Sequence, residues 1–163
     1  MIKLSFDVSK PLSEVWEFGL DSNRIPDWQF DISSVKSANA AIQGVGDAYT
    51  LVYHMWRRDF DRPVQITRFE PPHIMETSGR TPIGGLFRST TQMQATASGT
   101  HVDWQMDYQL PFGLIGKALD LLIFRKAFEN TVRKYNDNFK ALAEGRHAHH
   151  QTIRGKDKSQ HPA

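Results

Sequence analysis

The stretch Pro111–Glu144, PFGLIGKALDLLIFRKAFENTVRKYNDNFKALAE, decides how the rest of the chain is read. At helical spacing Leu114, Ala118, Leu121, Phe124, Phe128, Val132, Tyr135, Phe139 and Leu142 fall on one stripe, at offsets of three and four. Lys126, Glu129, Arg133, Lys134, Asp137 and Lys140 fall mainly on the other side. A helix of about 30 residues is roughly 45 Å long at 1.5 Å per residue, more than the width of a small domain. It has to lie across a broad apolar surface, and almost everything before it is patterned as strand.

Immediately upstream, His101–Leu110 alternates cleanly: Val102, Trp104, Met106, Tyr108 and Leu110 against His101, Asp103, Gln105, Asp107 and Gln109. One apolar face and one wet face describe an antiparallel sheet covered on one side. Further back, Phe87–Ala97, Ile74–Arg80, Arg62–Glu70 and Asp47–Arg57 read as strands, with Ile32–Ala41 a weaker edge. Ala97-Ser-Gly-Thr100, Thr81-Pro-Ile-Gly-Gly85, Pro71-Pro72, the charged tip Arg57–Asp61 and Gly44-Val-Gly46 separate them. Near the start, Ile2, Leu4, Phe6 and Val8 alternate with polar residues as in a half-buried strand. Pro11 then opens a short helix with Leu12, Val15, Trp16 and Leu20 on its buried side, and Arg24-Ile-Pro-Asp-Trp28 opens another helical turn. Strands in sequence with helices segregated from them make an α+β fold: a curved antiparallel sheet of about seven strands, β-α-α-β6-α, gripping the last helix.

The bulk properties narrow the function classes. One hundred and sixty-three residues, 39% hydrophobic and 23% charged, suit a single globular domain with a core of its own. The domain is expected over residues 1–144. From Gly145 onward the polar run RHAHHQTIRGKDKSQHPA, with one isolated Ile, is expected to be a disordered tail. A net charge of +2 with dispersed basic residues gives no support to nucleic-acid binding. The absence of cysteine excludes disulfides, thiol nucleophiles and thiolate metal sites. No apolar run approaches the roughly 18 residues of a membrane span, and MIKLSFDV has no hydrophobic signal core, so a cytoplasmic location is expected.

Several motifs carry a resemblance. Pro11-Leu-Ser-Glu-Val-Trp16, Ile25-Pro-Asp-Trp28, Gly44-Val-Gly46, Phe69-Glu-Pro-Pro72 and Gly99-Thr-His-Val-Asp-Trp104 occur in an order that resembles the helix-grip fold of the START and birch-pollen-allergen (SRPBCC) superfamily, most closely the polyketide cyclase/dehydrase-like group of bacterial proteins. The resemblance covers about residues 1–144. It implies a hydrophobic cavity between the sheet and the last helix, used for a lipid, polyketide or other apolar small molecule. It does not imply one activity, since this fold hosts binders, carriers and aromatase/cyclases. No cyclase catalytic motif is recognisable, and whether the chain is an enzyme, such as a cyclase or dehydratase, is left open; so is a homodimer.

On the apolar face stand the candidate ligand-binding residues Tyr49, Tyr53, Met55, Met75, Met93, Trp104, Met106, Tyr108, Phe124, Phe128 and Tyr135, rich in aromatics and adaptable sulfur. These side chains would equally serve as ordinary core. Trp56, Arg57 and Arg88 are candidates for a pocket rim that holds a carboxylate or phosphate, with Gly84 and Gly85 as a lid hinge. His54 shares the parity of Thr50 and Val52 and is placed on the outer face. Arg146-His-Ala-His-His150 is a poor metal site, since a structural or catalytic centre needs ligands fixed by a fold; no metal and no cofactor is expected. Asp7, Asp21, Asp27, Asp31, Asp103 and Asp107 show no acid/base pairing, and spacing reveals no Ser-His-Asp set.

Overall fold

A computed structural model describes residues 1–37, 41–55, 57–80, 85–109 and 125–151 of the chain. Strand β1 (Ile2–Val8) is followed by helix α1 (Leu12–Leu20), a 3-10 turn over Ser22–Arg24 and a single helical turn, α2 (Ile25–Trp28). Then come β2 (Ile32–Ser37), β3 (Ala48–Met55), β4 (Arg58–Glu70), β5 (Ile74–Arg80), β6 (Leu86–Thr96) and β7 (Gly99–Gln109), and finally α3 (Arg125–Ala143). The sheet runs β1-β7-β6-β5-β4-β3-β2 and every pairing is antiparallel. Strands β2 to β7 form a meander of neighbours in sequence, and β1 joins its far edge beside β7, with Ile2 opposite Met106.

Alternation along the strands puts one set of side chains under α3. Tyr49, Leu51 and Tyr53 of β3, Val64 and Ile66 of β4, Phe87 of β6 and Met106 of β7 are buried in one cluster with Ile25 and Ile32. A second cluster beneath α1 joins Val8, Val15, Trp16, Met93 and Val102 to Phe139 of α3. Phe139 collects three rings edge-on, Phe6 at 6.1 Å, Phe18 at 5.0 Å and Trp28 at 5.4 Å between centroids. Each such pair stabilises by about 0.5–1.5 kcal/mol beyond its buried area.

The stripe expected on the last helix is present where the helix is described: Val132, Tyr135 and Phe139 are buried and Phe128 is half-buried. Residues 110–124, with Leu114, Ala118, Leu121 and Phe124, lie outside the described residues. The charged segment Arg57–Asp61, expected to be a hairpin tip, is mostly strand. Met55 pairs with Arg58 and His54 with Asp59, so β4 begins at Arg58 and only Arg57, with φ 62°, remains of that tip. The polar tail expected from Gly145 is, as far as His150, tied to the domain. The chain reverses at Gly145 (φ 76°), and buried Asn138 of α3 accepts from the His150 backbone N–H at 2.7 Å and donates to the His150 carbonyl at 3.0 Å. A fully buried amide needs such partners, and backbone supplies them.

Candidate functional site

Between α3 and the inner face of the sheet lies a cavity of about 80 Å3. Its walls come from β3 (Tyr49, Leu51, Tyr53), β4 (Arg62, Val64), β5 (Thr77), β6 (Phe87, Ser89), β7 (Trp104, Met106) and α3 (Phe128, Val132, Tyr135), with Gln29 at one end. Liquid water occupies roughly 30 Å3 per molecule, so the hollow has room for two or three waters' worth of atoms.

Six of the residues singled out from the sequence meet there: Tyr49, Tyr53, Trp104, Met106, Phe128 and Tyr135. The others that are described do not line the cavity. Met93 is buried beneath α1 with Trp16, and Met75 packs at the junction of the first two clusters. Met55 is half-buried at the end of β3, and Tyr108 stacks edge-on against Phe128 at 5.6 Å. Phe124, Trp56 and Gly84 lie outside the described residues. The rim candidates that are described are not at this cavity either. Arg88 is exposed on the outer face, opposite Ser78 and Asp107 across the sheet, while Arg57 is exposed at the β3–β4 tip. Gly85 is buried just before β6. His54 faces outward as expected and pairs with Asp59 at 2.8 Å. A larger hollow, about 1000 Å3, is lined mainly by outward-facing residues such as Ala48, Pro63, Gln65, Ser78, Arg88 and Asp107, and it shares Val64 and Phe87 with the inner cavity.

What the cavity holds beyond apolar wall is a buried polar chain. Arg62 is 8% exposed and shares the inward parity of Val64 and Ile66. Its guanidinium lies 3.8 Å over the Phe87 ring and 5.5 Å from the Tyr53 ring centroid, and Nη1 donates to the Tyr53 hydroxyl at 3.0 Å. Tyr53 is hydrogen-bonded in turn to the Tyr135 hydroxyl, which donates to Asp31 Oδ1 at 2.5 Å. Two hydroxyls thus stand between a cation and a carboxyl group.

The Nε atom of Arg62, buried, has no hydrogen-bond partner among the described residues. Among those residues no carboxylate stands within ion-pairing distance of the guanidinium, and Asp31 acts on it only at longer range. Cation–π contact with Phe87 offsets about 2 kcal/mol of the desolvation, and a buried unsatisfied donor costs about 1–3 kcal/mol.

Burial dominates the titration of this group of side chains. It pushes the Asp31 carboxyl above its ordinary value, against the pull of the Tyr135 hydroxyl, a backbone hydrogen bond and the Arg62 charge. It likewise raises Tyr53 and Tyr135, and it carries Tyr49 up to about 12 despite the nearby Arg62 charge. At neutral pH all three phenols are protonated and one guanidinium is charged. The arrangement can therefore donate hydrogen bonds to an oxygen and stabilise negative charge on it, in surroundings that strengthen both. Among the described residues no cluster of three or more His, Asp or Glu is arranged to hold a metal ion, and no helix is long and apolar enough to cross a membrane.

Sequence reasoning missed Arg62 and Asp31. The signal for Arg62 was available: counted back from Ile66 and Val64, it occupies the next inward position. Asp31, in the turn before β2, had no such marker.

Comparison with known proteins places the fold. A structure from Thermus thermophilus superposes with a TM-score of 0.72 at 12% identity, covering 88% of this chain and 97% of that one. The protein Ara h 8.0201 gives 0.66 at 9% identity, over 88% and 94% of the two chains. The di-domain aromatase/cyclase StfQ from the steffimycin biosynthetic pathway gives 0.67 at 8% identity, over 88% of this chain and 44% of its own length. No curated protein matches the sequence. At these identities the structural likeness establishes the helix-grip architecture alone. The sequence itself matches the family described as polyketide cyclase/dehydrase and lipid transport over residues 2–144, and on that match the chain belongs to this family.

Proposed function

We propose that the protein binds a small apolar or amphipathic molecule in the cavity between the sheet and α3. The observation that carries this reading is that Phe128, Val132 and Tyr135 do not pack flush on the strands but leave a hollow with both apolar walls and polar groups. Convergence of a few polar groups in an apolar concavity is the usual make-up of a ligand site. Family membership supports the same reading, since its description names lipid transport and polyketide chemistry.

The volume narrows the ligand. Drug-sized molecules occupy pockets of roughly 300–1,000 Å3, several times the hollow of about 80 Å3. A short chain or a single ring fits with slight widening, whereas a lipid or polyketide requires α3 to move off the sheet. A ring that buries about 200 Å2 of apolar surface gains roughly 5 kcal/mol, which corresponds to a Kd of about 0.1–1 mM. Titration of the 15N-labelled protein with benzyl alcohol and 2-naphthylmethanol tests the proposal. Saturable shifts of Tyr53, Trp104, Val132 and Tyr135 amides support it; a spectrum unmoved at about 10 mM of either compound, well above the expected Kd, overturns it.

A second reading is a cyclase- or aromatase-type reaction in the same hollow. It is favoured by one observation: the inward side chains include Arg62, whose Nε–H has no partner among the described residues and can hold an enolate oxygen as it forms. Turnover of a poly-β-ketone, abolished in Arg62→Met, would support it; failure to convert such a substrate above the buffer rate would reject it.

A further inference from the structure

We propose that the ligand of this cavity carries a carboxylate, and that the Nε–H of Arg62 receives one of its oxygens inside the grip. The inference rests on the cavity reading above and goes one step further, to the charge of the occupant. Arg62 is more than nine-tenths buried and lines the cavity. The ring of Phe87 lies 3.8 Å beneath the guanidinium, and Nη1 donates to the Tyr53 hydroxyl. The Tyr135 hydroxyl proton is given to Asp31. Nε of Arg62 is a buried donor without a partner among the described residues.

Charge then chooses between a carboxylate and a neutral carbonyl. Asp31 is the carboxyl group whose field reaches Arg62, and its oxygen is already engaged by Tyr135. Burial holds that carboxyl above its ordinary value, which weakens it further as a counter-charge. A neutral carbonyl at Nε would satisfy a hydrogen bond and leave the guanidinium uncompensated among Leu51, Val64 and Phe87. A carboxylate satisfies both, with a charge-assisted bond of the kind arginine forms best. Selection of this type is large where a buried polar group would otherwise stay unpaired.

The test compares two matched pairs at pH 7 on the full chain, butanoate with butanamide and benzoate with benzamide, followed by NMR. The acids are expected to bind at least tenfold more tightly than their amides. The Arg62 side-chain 15Nε–1H resonance should move downfield with acid and stay in place with amide. In Arg62→Met the preference for acid over amide should fall below twofold. If that variant does not fold, the Nε–H resonance of the parent protein decides alone. Equal binding of acid and amide, or a saturable acid titration that leaves the Arg62 resonance unmoved, overturns the carboxylate assignment and leaves the cavity reading standing. Binding of none of the four compounds removes both.

Discussion

Replacing Tyr135 by phenylalanine isolates one bond of the buried chain. The ring of Tyr135 is 6% exposed and packs against Phe30 at 5.0 Å between centroids, and phenylalanine preserves that contact. What disappears is the hydroxyl that donates to Asp31 at 2.5 Å. A hydrogen bond to a charged group contributes about 1.5–3 kcal/mol, against about 0.5–1.5 kcal/mol for a neutral one. For a domain of this size each kcal/mol moves Tm by roughly 2–4 °C, so Tyr135→Phe should lower Tm by about 3–12 °C at pH 7. The sign with pH follows from linkage. Burial raises the Asp31 carboxyl above its unfolded value, so the folded state holds more protons in that window and stability declines as pH rises through it. Losing the Tyr135 donor raises the carboxyl further and steepens the decline. The penalty of Tyr135→Phe should therefore be larger at pH 7 than at pH 3.5, where the lost bond is to a neutral acid. Urea unfolding at both pH values measures it. A penalty equal at the two pH values, or below about 0.5 kcal/mol at pH 7, refutes a hydroxyl–carboxylate bond at this position.

Three further outcomes are expected. A Cβ at Gly79 would sit 2.3 Å from the Pro63 carbonyl oxygen and 2.7 Å from the Phe87 ring, so Gly79→Ala should cost about 1–3 kcal/mol or more in urea unfolding and displace Phe87 from beneath Arg62, visible as a shifted Arg62 Nε–H resonance. Asn138→Ala leaves the His150 backbone without its partners, and should lower stability by about 1–3 kcal/mol and speed amide exchange at His150 by at least tenfold. Burial opposes the charge of Glu144, but the Ser9 backbone N–H at 2.7 Å together with Arg146 and Lys140 holds its carboxyl down to about 2. That depressed value contributes stability above the unfolded range near 4.5 that is lost as pH falls toward 2, so Glu144→Gln should flatten the acid limb of a stability–pH curve measured from pH 5 to pH 2.

Much of the fold was legible because local patterns and tertiary demands agree. In β7 the alternation from Val102 to Tyr108 marks the covered face directly, and β5 begins and ends where the proline pair and the following loop bound it, at Ile74 and Arg80. The site was only half legible, for two reasons. Parity tells which face a strand residue takes but not its height along the strand. Met93 and Met106 share a face, yet one lies under α1 and the other under α3. The second reason is that a charge in a strand reads as solvent-exposed by default. Arg62 stands beside a charged segment and reads as part of it, although its register with Leu51 sets it inward. Asp31 and Tyr135 are 104 positions apart, and nothing local in either marks the other.

The pairing of β1 with β7 bears on how the chain is made. Ile2 leaves the ribosome well before Met106, opposite which it finds its place, so 104 positions must be translated before the two can meet. At about 5–20 residues per second that interval is roughly 5–20 s. The meander from β2 onward can zip hairpin by hairpin as it emerges, since each new strand lies beside the last. Strand β1 waits, its ladder groups unmet, and its arrival beside β7 adds the last strand to the sheet.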